Sequence, residues 1–277
     1  MFSFSKSVEN ATLRVVSFGA GVQSTVMLLM AAKGEITPRP DLAIFADTQF
    51  EPPEIYEHLD WCKTELKRLT NNQVKLEITT AGDLRRNEEQ GLNVLGQAYN
   101  TIPFFTDTGL GRRQCTTDYK IRPIRRLVRK KLGVLPNKKV PKGVVVEQWI
   151  GISTDELERV KESRDKWTVN RFPLIELGMS RGSCLEWFNK NYPDRPLVKS
   201  ACIACPYHNN SMWRDMKKNQ PEIWEEACKF DETIRNVASN NKEQFVHSSA
   251  TPLRTADLGD EKTMDLFLGE CDGMCGV

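Results

Sequence analysis

One short run of small and hydroxyl-bearing residues could bind an anion: residues 17–25, SFGAGVQST. Its small members are Gly19, Ala20 and Gly21, and its polar members are Ser17, Gln23, Ser24 and Thr25. A backbone with small side chains lets an anion come close, and the helix predicted after it offers N–H groups and a positive dipole end. The spacing is neither that of a Rossmann nor that of a Walker fingerprint. The run therefore indicates a phosphate site of another type, or a tight turn that uses glycine only for packing.

Three cysteines have neighbours and a spacing that suit a metal centre. Cys202 and Cys205 form a C-x-x-C pair followed by a proline, and Cys115 lies in a basic stretch. Two thiolates with two residues between them can bind one metal centre. That centre would be an iron–sulfur cluster or, with His208 or another cysteine, a zinc ion. Free thiols in a reducing compartment are the third interpretation.

Two further cysteines, Cys271 and Cys275, lie near the end of the sequence. Such a pair could form a disulfide or carry a persulfide during turnover. The carboxylates of Glu270 and Asp272 would raise the pKa of Cys271, so a reactive thiolate there needs basic groups close by. An inert, solvent-exposed pair is the alternative.

The charges are unevenly distributed, although 39 basic and 37 acidic residues nearly cancel. Residues 112–142 contain one acid, Asp118, and many basic residues. These are Arg112, Arg113, Lys120, Arg122, Arg125, Arg126, Arg129, Lys130, Lys131, Lys138, Lys139 and Lys142. A mononucleotide needs about two to four cations, so the surplus favours DNA or tRNA as partner, with a solvated helix face as the alternative. Lys120 and Arg122 lie close to Cys115 in sequence and are candidates for binding phosphate or sulfate there.

Alternating apolar runs must position these groups. Strands are predicted at residues 13–18, 42–46, 74–79 and 144–150, and helices at residues 22–33, 155–162, 212–218 and 221–237, with a further helix starting at Pro52 and Pro53. Strands that alternate with helices predict an α/β fold with a doubly wound parallel sheet. Residues 81–108 show little periodicity and are expected to form a long functional loop or lid. We expect a nucleotide-binding domain over residues 1–192 and a smaller, Cys-rich, mainly helical region over residues 193–277.

The composition excludes several classes of protein. With 39% hydrophobic and 27% charged residues in 277 positions, wholesale disorder is excluded. No apolar run approaches the roughly 20 residues that a bilayer requires. The first residues lack the apolar core of a signal peptide. We therefore expect a cytoplasmic protein without a membrane partner, whose cysteines are ligands, nucleophiles or buried thiols rather than disulfides.

Residues 17–25 resemble the pyrophosphate loop, or PP-loop, of the adenine nucleotide α-hydrolase superfamily, usually written S-G-G-x-D-S. Ser24 aligns with the final serine, residues 19–21 with S-G-G, and Gln23 stands in place of the aspartate. The resemblance implies a Rossmann-like fold and an ATP site, with Mg²⁺ on the phosphates. Its nucleotide-binding residues here would be Ser17, Gly19, Ala20, Gly21, Gln23, Ser24 and Thr25.

Two more segments are similar to the phosphoadenylyl-sulfate (PAPS) reductase family of that superfamily. Residues 46–54, ADTQFEPPE, resemble the D-T-G-x-x-x-P-E-T segment beside the adenosine, which implies nucleotide contacts from Ala46 and Asp47. Residues 151–159 resemble G-I-R-x-D-E-x-x-R, with Ser153 in place of the first arginine. This segment would contribute Gly151, Asp155, Glu156 and Arg159. Matches in this order run from Val15 to Cys205.

The resemblance also implies a function. Cluster-bearing members of the family carry cysteines at comparable positions, which implies Cys115, Cys202 and Cys205 as ligands of a [4Fe–4S] cluster. Its fourth iron would be open or would be bound by Cys184, Cys271 or an external ligand. The implied enzyme adenylylates an acceptor with ATP and transfers sulfur to it, as in DNA phosphorothioation or tRNA thiolation. Its partners would be nucleic acid and a cysteine desulfurase, and a homodimer is compatible with the sequence. Its catalytic groups would be Cys271, Cys275, Lys120 and Arg122.

Two alternatives stay open. The tail resembles the Glu-Cys-Gly segment with which PAPS reductases end. This implies a PAPS or adenylyl-sulfate reductase that releases sulfite through Cys271. The other alternative is a zinc-stabilised nucleic-acid-binding module on an inactive nucleotide fold, and the departures from the PP-loop at Val22 and Gln23 favour it.

Overall fold

A parallel sheet organises the chain, of which the computed structural model describes residues 7–237 and 242–259. The strands described are β1 (Leu13–Phe18), β2 (Leu42–Asp47), β3 (Lys75–Thr80), β4 (Phe105–Thr106), β5 (Gly109–Leu110), β6 (Val146–Ile150) and β7 (Thr168–Arg171). Five of them form one sheet in the order β3-β2-β1-β6-β7, and every neighbouring pair is parallel. Strands β4 and β5 form a separate antiparallel hairpin. The predicted parallel α/β architecture is therefore confirmed as a Rossmann-like arrangement.

Helices connect and cover the strands. Those described are α1 (Val22–Lys33), α2 (Pro53–Thr70), α3 (Leu84–Glu89), α4 (Arg122–Lys131), α5 (Pro173–Glu176), α6 (Arg181–Asn191), α7 (Asn210–Asn219) and α8 (Pro221–Thr233). A π-helical turn, Thr116–Ile121, leads directly into α4. Within the described residues no helix combines the length and apolar character needed to cross a membrane.

Neighbouring residues of one strand pack on opposite sides of the sheet. Val16 packs with α1, α2 and α6, whereas Val15 packs with α4. Successive side chains of a strand point to opposite faces, so continuous apolar runs such as those of β1 and β2 require cover on both faces. Helices therefore lie on both sides of the sheet, as a doubly wound fold requires.

The strand order places a crevice at the carboxyl ends of β1 and β6. From β1 the chain crosses to β2 and β3 on one side, and it later returns to β6 on the other side. In open α/β sheets ligands bind where the strand order reverses, outside the carboxyl ends of the strands. Residues 17–25 follow β1 and residues 151–159 follow β6, so two of the predicted nucleotide segments meet at this crevice.

Several local expectations were wrong. The helix predicted at residues 155–162 is a short 3₁₀ segment, Thr154–Arg159. Residues 81–108 contain α3 and the first strand of the hairpin rather than one long loop. Strand β7 was missed because its sequence, TVNR, is short and mostly polar.

The last helices share a hydrophobic core with the middle of the chain. The Phe230 ring of α8 lies 4.8 Å from the ring centroid of Phe50 and 6.0 Å from that of Phe104. Trp213 of α7 and Trp224 of α8 belong to the same buried cluster. The core therefore crosses residue 192, where the sequence predicts a boundary between two domains.

Candidate functional site

The loop between β1 and α1 has the local geometry of an anion cradle. The backbone N–H of Thr25 donates to the Gly21 carbonyl at 3.0 Å, so the helix begins directly after Gly21. Ala20 has a φ of 59°, a left-handed conformation that is uncommon for a residue with a side chain and is concentrated at functional sites. The first N–H groups of a helix have no partner within it and can donate to a ligand.

The end of β6 packs directly against this loop. A Cβ at Gly151 would lie 2.8 Å from the backbone nitrogen of Ser24, so only glycine fits at position 151. Gln23 reaches the same segment, because its Nε2 donates to Ser153 Oγ at 3.4 Å and to Glu156 Oε2 at 3.2 Å. Glu156 also forms an ion pair with Arg159. The structure thus brings together two of the three segments predicted to bind a nucleotide.

A small cavity lies at residues 17–25, and we call it the phosphate-loop cavity. Two cations and a buried hydroxyl complete its lining. Arg181 and Lys199 line it together with Ser17, Gly19 and the first turn of α1. Ser200 also lines it, and Ser200 Oγ is buried without a hydrogen-bond partner among the described residues. Sequence reasoning missed all three, because no motif connects these positions to residues 17–25.

Asp155 holds the start of α6 at this cavity. Its carboxylate accepts from the backbone N–H of Arg181 at 3.1 Å. Burial raises the pKa of Asp155, but hydrogen bonds from Ser153 and from backbone N–H groups outweigh burial and leave the pKa below its usual range. Asp155 therefore stays ionised at neutral pH and positions α6, which begins at Arg181.

Asp47, at the end of β2, orders the loop that follows. Its Oδ1 accepts from the Gln49 backbone N–H at 2.7 Å and from the Tyr56 hydroxyl at 3.0 Å. Burial and this carboxylate raise the pKa of Tyr56 above its usual range. Ala46, the preceding residue of β2, is buried. The carboxylate of Asp47 is thus already engaged in holding the chain at the edge of the crevice.

Thr25 faces the core rather than the cradle. Its Oγ1 lies 3.0 Å from His58 Nε2, and both side chains are buried. His58 is therefore a core residue of α2 and not a surface residue. Burial, with the nearby Arg195 cation, lowers the pKa of His58 to about 4.

The three predicted ligand cysteines line one cavity, which we call the thiol cavity. Cys115, Cys202 and Cys205 form its wall together with Lys120 and Thr48. Its volume is about 30 Å³, so any group larger than a water molecule would have to push these side chains apart. Within residues 7–237 and 242–259 no three His, Cys, Asp or Glu side chains are grouped closely enough to hold a metal ion.

Cys202 lies beside a buried ion pair. Its Sγ is 3.6 Å from Glu51 Oε1 and 3.6 Å from Thr48 Oγ1. Lys120 Nζ lies 3.6 Å from the same Glu51 oxygen. Burial and the Glu51 carboxylate raise the pKa of Cys202 well above its usual value, and the Lys120 ammonium lowers it to a lesser extent. Cys202 is therefore a protonated thiol at neutral pH in this state.

One short segment links the two cavities. Lys199 and Ser200 line the phosphate-loop cavity, and the next two residues, Ala201 and Cys202, line the thiol cavity. Ser200 and Cys202 are two residues apart, so their Cα atoms are separated by at most about 7 Å. A ligand on the phosphate loop and a group bound at the thiols would thus be close neighbours.

The basic block forms a separate surface on α4. Ile124 and Val128 pack against the sheet, whereas Arg122, Arg125 and Arg126 are exposed. Arg122 and Arg125 line a groove of about 420 Å³ that Lys161 and Arg164 also line. Several of these cations have carboxylate partners: Arg122–Asp118 at 2.6 Å, Arg125–Asp165 at 2.6 Å and Lys131–Glu77 at 2.5 Å. Arg122 lines this groove while Lys120 lines the thiol cavity, so the two predicted anion-binding residues face different places.

Cys271 and Cys275, which sequence reasoning assigned to catalysis, lie outside the described residues. No protein-family model matches the chain, and no curated protein matches it significantly.

Proposed function

We propose that this chain is an ATP-binding enzyme of the PP-loop type that adenylylates a nucleic-acid acceptor for sulfur transfer. The observation that carries the proposal is the segment from Lys199 to Cys202, which joins the phosphate-loop cavity to the thiol cavity. This arrangement would bring a reacting phosphate and a sulfur-bearing centre within a few ångströms of each other. The resemblance of residues 17–25, 46–54 and 151–159 to PP-loop and PAPS reductase segments supports the same assignment.

The first reaction would be adenylylation. An oxygen of the acceptor attacks the α-phosphorus of ATP, the bond from that phosphorus to the bridging oxygen breaks, and pyrophosphate leaves with Mg²⁺. The N–H groups at the start of α1 would bind the phosphate oxygens. Arg181 and Lys199 would balance the charge that develops there, in a loop where Gln23 replaces the carboxylate of the PP-loop pattern.

The second reaction would deliver sulfur. A cysteine desulfurase loads Cys271 or Cys275 with a persulfide. The outer sulfur attacks the carbon or phosphorus of the acceptor that carries the adenylylated oxygen, and AMP leaves with that oxygen. The other cysteine of the pair then attacks the resulting S–S bond and releases the thiolated acceptor. The two cysteines supply two electrons and end as a disulfide, which a cellular dithiol must reduce before the next turnover.

The residue types that line the thiol cavity, three cysteines and a lysine among them, suit an iron–sulfur cluster. Cys115, Cys202 and Cys205 would hold it once their side chains have moved apart. Each thiolate of such a cluster binds a different iron, so its ligands are spaced more widely than those of one zinc ion. A [4Fe–4S] cluster with three protein ligands would supply an open iron that can bind a sulfur atom. Lys120, which also lines the cavity, would place a positive charge beside it.

The acceptor would be DNA or tRNA. The exposed cations of α4 and of residues 138–142 form a surface much larger than one nucleotide requires. Contacts between phosphates and such cations provide affinity without reading sequence. The groove lined by Arg122, Arg125 and Arg164 runs along this surface and would receive the backbone.

Anaerobic purification followed by iron, sulfide and zinc analysis and an assay of ATP-dependent pyrophosphate release tests the proposal. We expect about four irons per chain with matching sulfide. Changing Cys115, Cys202 or Cys205 to serine should remove the iron, whereas Cys228→Ala, in α8 outside the cavity, should retain it. We expect pyrophosphate release to depend on added nucleic acid. Absence of nucleotide binding would overturn the proposal, and zinc without iron would favour the zinc-stabilised module.

A further inference from the structure

A second cavity lies behind the wall that carries Cys115. Residues 112–115 alternate between the two: Arg113 and Cys115 line the thiol cavity, whereas Arg112 and Gln114 line the second one. The β4–β5 hairpin, Lys242 and Gln244 complete this second cavity, which we call the hairpin cavity. Its volume is about 400 Å³, within the range of small-ligand sites.

Side-chain amides line the hairpin cavity and can form hydrogen bonds with the polar edge of a ligand. Asn100, Gln114 and Gln244 all line it. Gln244 is only 9% exposed, and its Oε1 accepts no hydrogen bond from the described residues. A buried acceptor without a partner costs free energy, which a donor on a bound ligand would recover. A ligand with an N–H or O–H group that reaches Gln244 Oε1 would therefore be favoured.

The wall that carries Asn100 is held rigidly. The buried carboxylate of Glu88 accepts from the backbone N–H groups of Thr101 and Ile102, at 2.9 and 3.3 Å. It also accepts from Asn100 Nδ2 at 2.9 Å, which leaves the Asn100 carbonyl oxygen for other partners. A wall fixed in this way presents its polar groups in one geometry, as selective recognition requires.

Apolar and basic groups surround the amides. Tyr99 and Leu110 line the cavity and are 36% and 45% exposed. Arg112, the first cation of the basic block, lines it as well, and so does Lys242, whose ammonium also pairs with Asp107 at 3.2 Å. A flat aromatic ligand attached to phosphates matches this combination, because its ring can stack on tyrosine while its phosphates meet the cations.

We propose that the hairpin cavity binds one unpaired nucleobase of the acceptor nucleic acid, a base that carries an exocyclic amino group. The proposal rests on the proposed function only in taking nucleic acid as the acceptor. The amino group donates to Gln244 Oε1, the ring packs on Tyr99, and the flanking phosphates lie at Arg112 and Lys242. Glutamine amides read adenine in this manner, and enzymes that modify nucleic acids commonly take a base out of its stack.

Fluorescence anisotropy with short single-stranded homopolymers tests the proposal, at one salt concentration and without ATP. We expect oligo(dA) and oligo(dC) to bind about tenfold more tightly than oligo(dT), since one well-made base contact is worth about that factor. The N–H of thymine lies between two carbonyl oxygens that would repel Gln244 Oε1, whereas an amino group projects from the edge of its base. Gln244→Leu should abolish the preference. Gln90→Leu, an exposed glutamine at the end of α3, is the matched control and should keep it. Homopolymers of ribonucleotides show in parallel whether the strand is RNA or DNA.

Two further variants separate recognition from loss of structure. Gln244→Glu retains acceptor oxygens, so it should bind every strand more weakly but keep the preference for amino-bearing bases. Tyr99→Phe should bind as the wild type does, and Tyr99→Ala should lose about tenfold in affinity for all strands. Equal binding of all homopolymers, or a preference that survives Gln244→Leu, would overturn the proposal. Pyrophosphate release is assayed separately, so a base preference without ATP turnover would count against the proposed function alone.

Discussion

The backbone nitrogen of Ser24 lies so close to Gly151 that a Cβ on the glycine would stand 2.8 Å from it. The end of β6 and the first turn of α1 therefore form one rigid unit around the phosphate-loop cavity. Two segments far apart in the chain depend on each other here, because any side chain at position 151 must displace the N–H groups that would hold a phosphate.

Gly151→Ala should consequently impair nucleotide binding more than it impairs folding. We expect a loss of tenfold or more in ATP affinity by calorimetry, with a decrease of about 1–3 kcal/mol in the free energy of unfolding from overpacking. Gly182→Ala is the control, because a Cβ there would lie 3.5 Å from Ser180 Oγ, an ordinary contact. Unchanged ATP affinity in Gly151→Ala would show that the nucleotide binds elsewhere.

Arg181 and Lys199 should contribute to the affinity for ATP only through contacts with its phosphates. Replacing either with glutamine removes a charge-assisted contact, so we expect ATP and inorganic pyrophosphate to bind about tenfold more weakly. Adenosine, which has no phosphate, should bind both variants as it binds the wild type. Lys190→Gln, an exposed lysine of α6, serves as the control. Equal losses for adenosine and ATP would indicate a structural role instead.

Periodicity was sufficient to predict the framework of the crevice. The apolar runs that became β1, β2 and β6 are buried by helices, so burial left continuous apolar patterns in the sequence. Strand β3 lies at the edge of the sheet and is mostly exposed, and its alternation of apolar and polar residues was sufficient to predict it. The glycine-rich loop was recognisable for a similar reason, since an anion cradle restricts which residues fit. Strand β7 left no such pattern, because one edge strand of four residues carries few apolar side chains.

The cations of the cradle could not be predicted. Arg181 stands at the start of α6 and Lys199 in an irregular segment, and only tertiary packing brings them to residues 17–25. His58 shows the same limit, since its helical spacing gave no sign that Thr25 would be its partner. Contacts between side chains that are distant in sequence leave no local pattern.

Variants of Cys271 and Cys275 should distinguish a sulfur-transfer enzyme from a reductase. Cys271→Ser and Cys275→Ser should retain nucleic-acid-dependent pyrophosphate release, because adenylylation precedes any attack by sulfur. Incorporation of ³⁵S from cysteine, with a desulfurase present, should disappear in both variants. Cys184→Ala, a buried thiol of α6, should lose neither. If the wild type instead releases sulfite from PAPS and Cys271→Ser does not, the reductase alternative is correct.

His58 should make stability depend on pH. Its pKa is about 4 in the folded chain and 6.5 when unfolded, so between these values the unfolded chain binds more protons. The free energy of unfolding therefore falls by about 3 kcal/mol on this account as pH decreases from 6.5 to 4. His58→Gln should be less stable than the wild type at pH 7.5, and that deficit should shrink by a similar amount at pH 4. Urea denaturation at both pH values measures it, and a deficit independent of pH would contradict the buried, neutral imidazole.

The basic surface of α4 should determine how binding depends on salt. Arg126 and Lys130 are exposed on this helix, so replacing both with glutamine should remove phosphate contacts without disturbing the core. We expect the slope of log K against log salt concentration to become shallower by about one for each cation. The affinity should fall equally for strands of different sequence, because phosphate contacts do not read bases. Lys67→Gln with Lys190→Gln removes the same charge from helices on the other side of the sheet, where both lysines are exposed. A slope that changes equally in the two double variants would indicate that net charge, and not the α4 surface, attracts the nucleic acid.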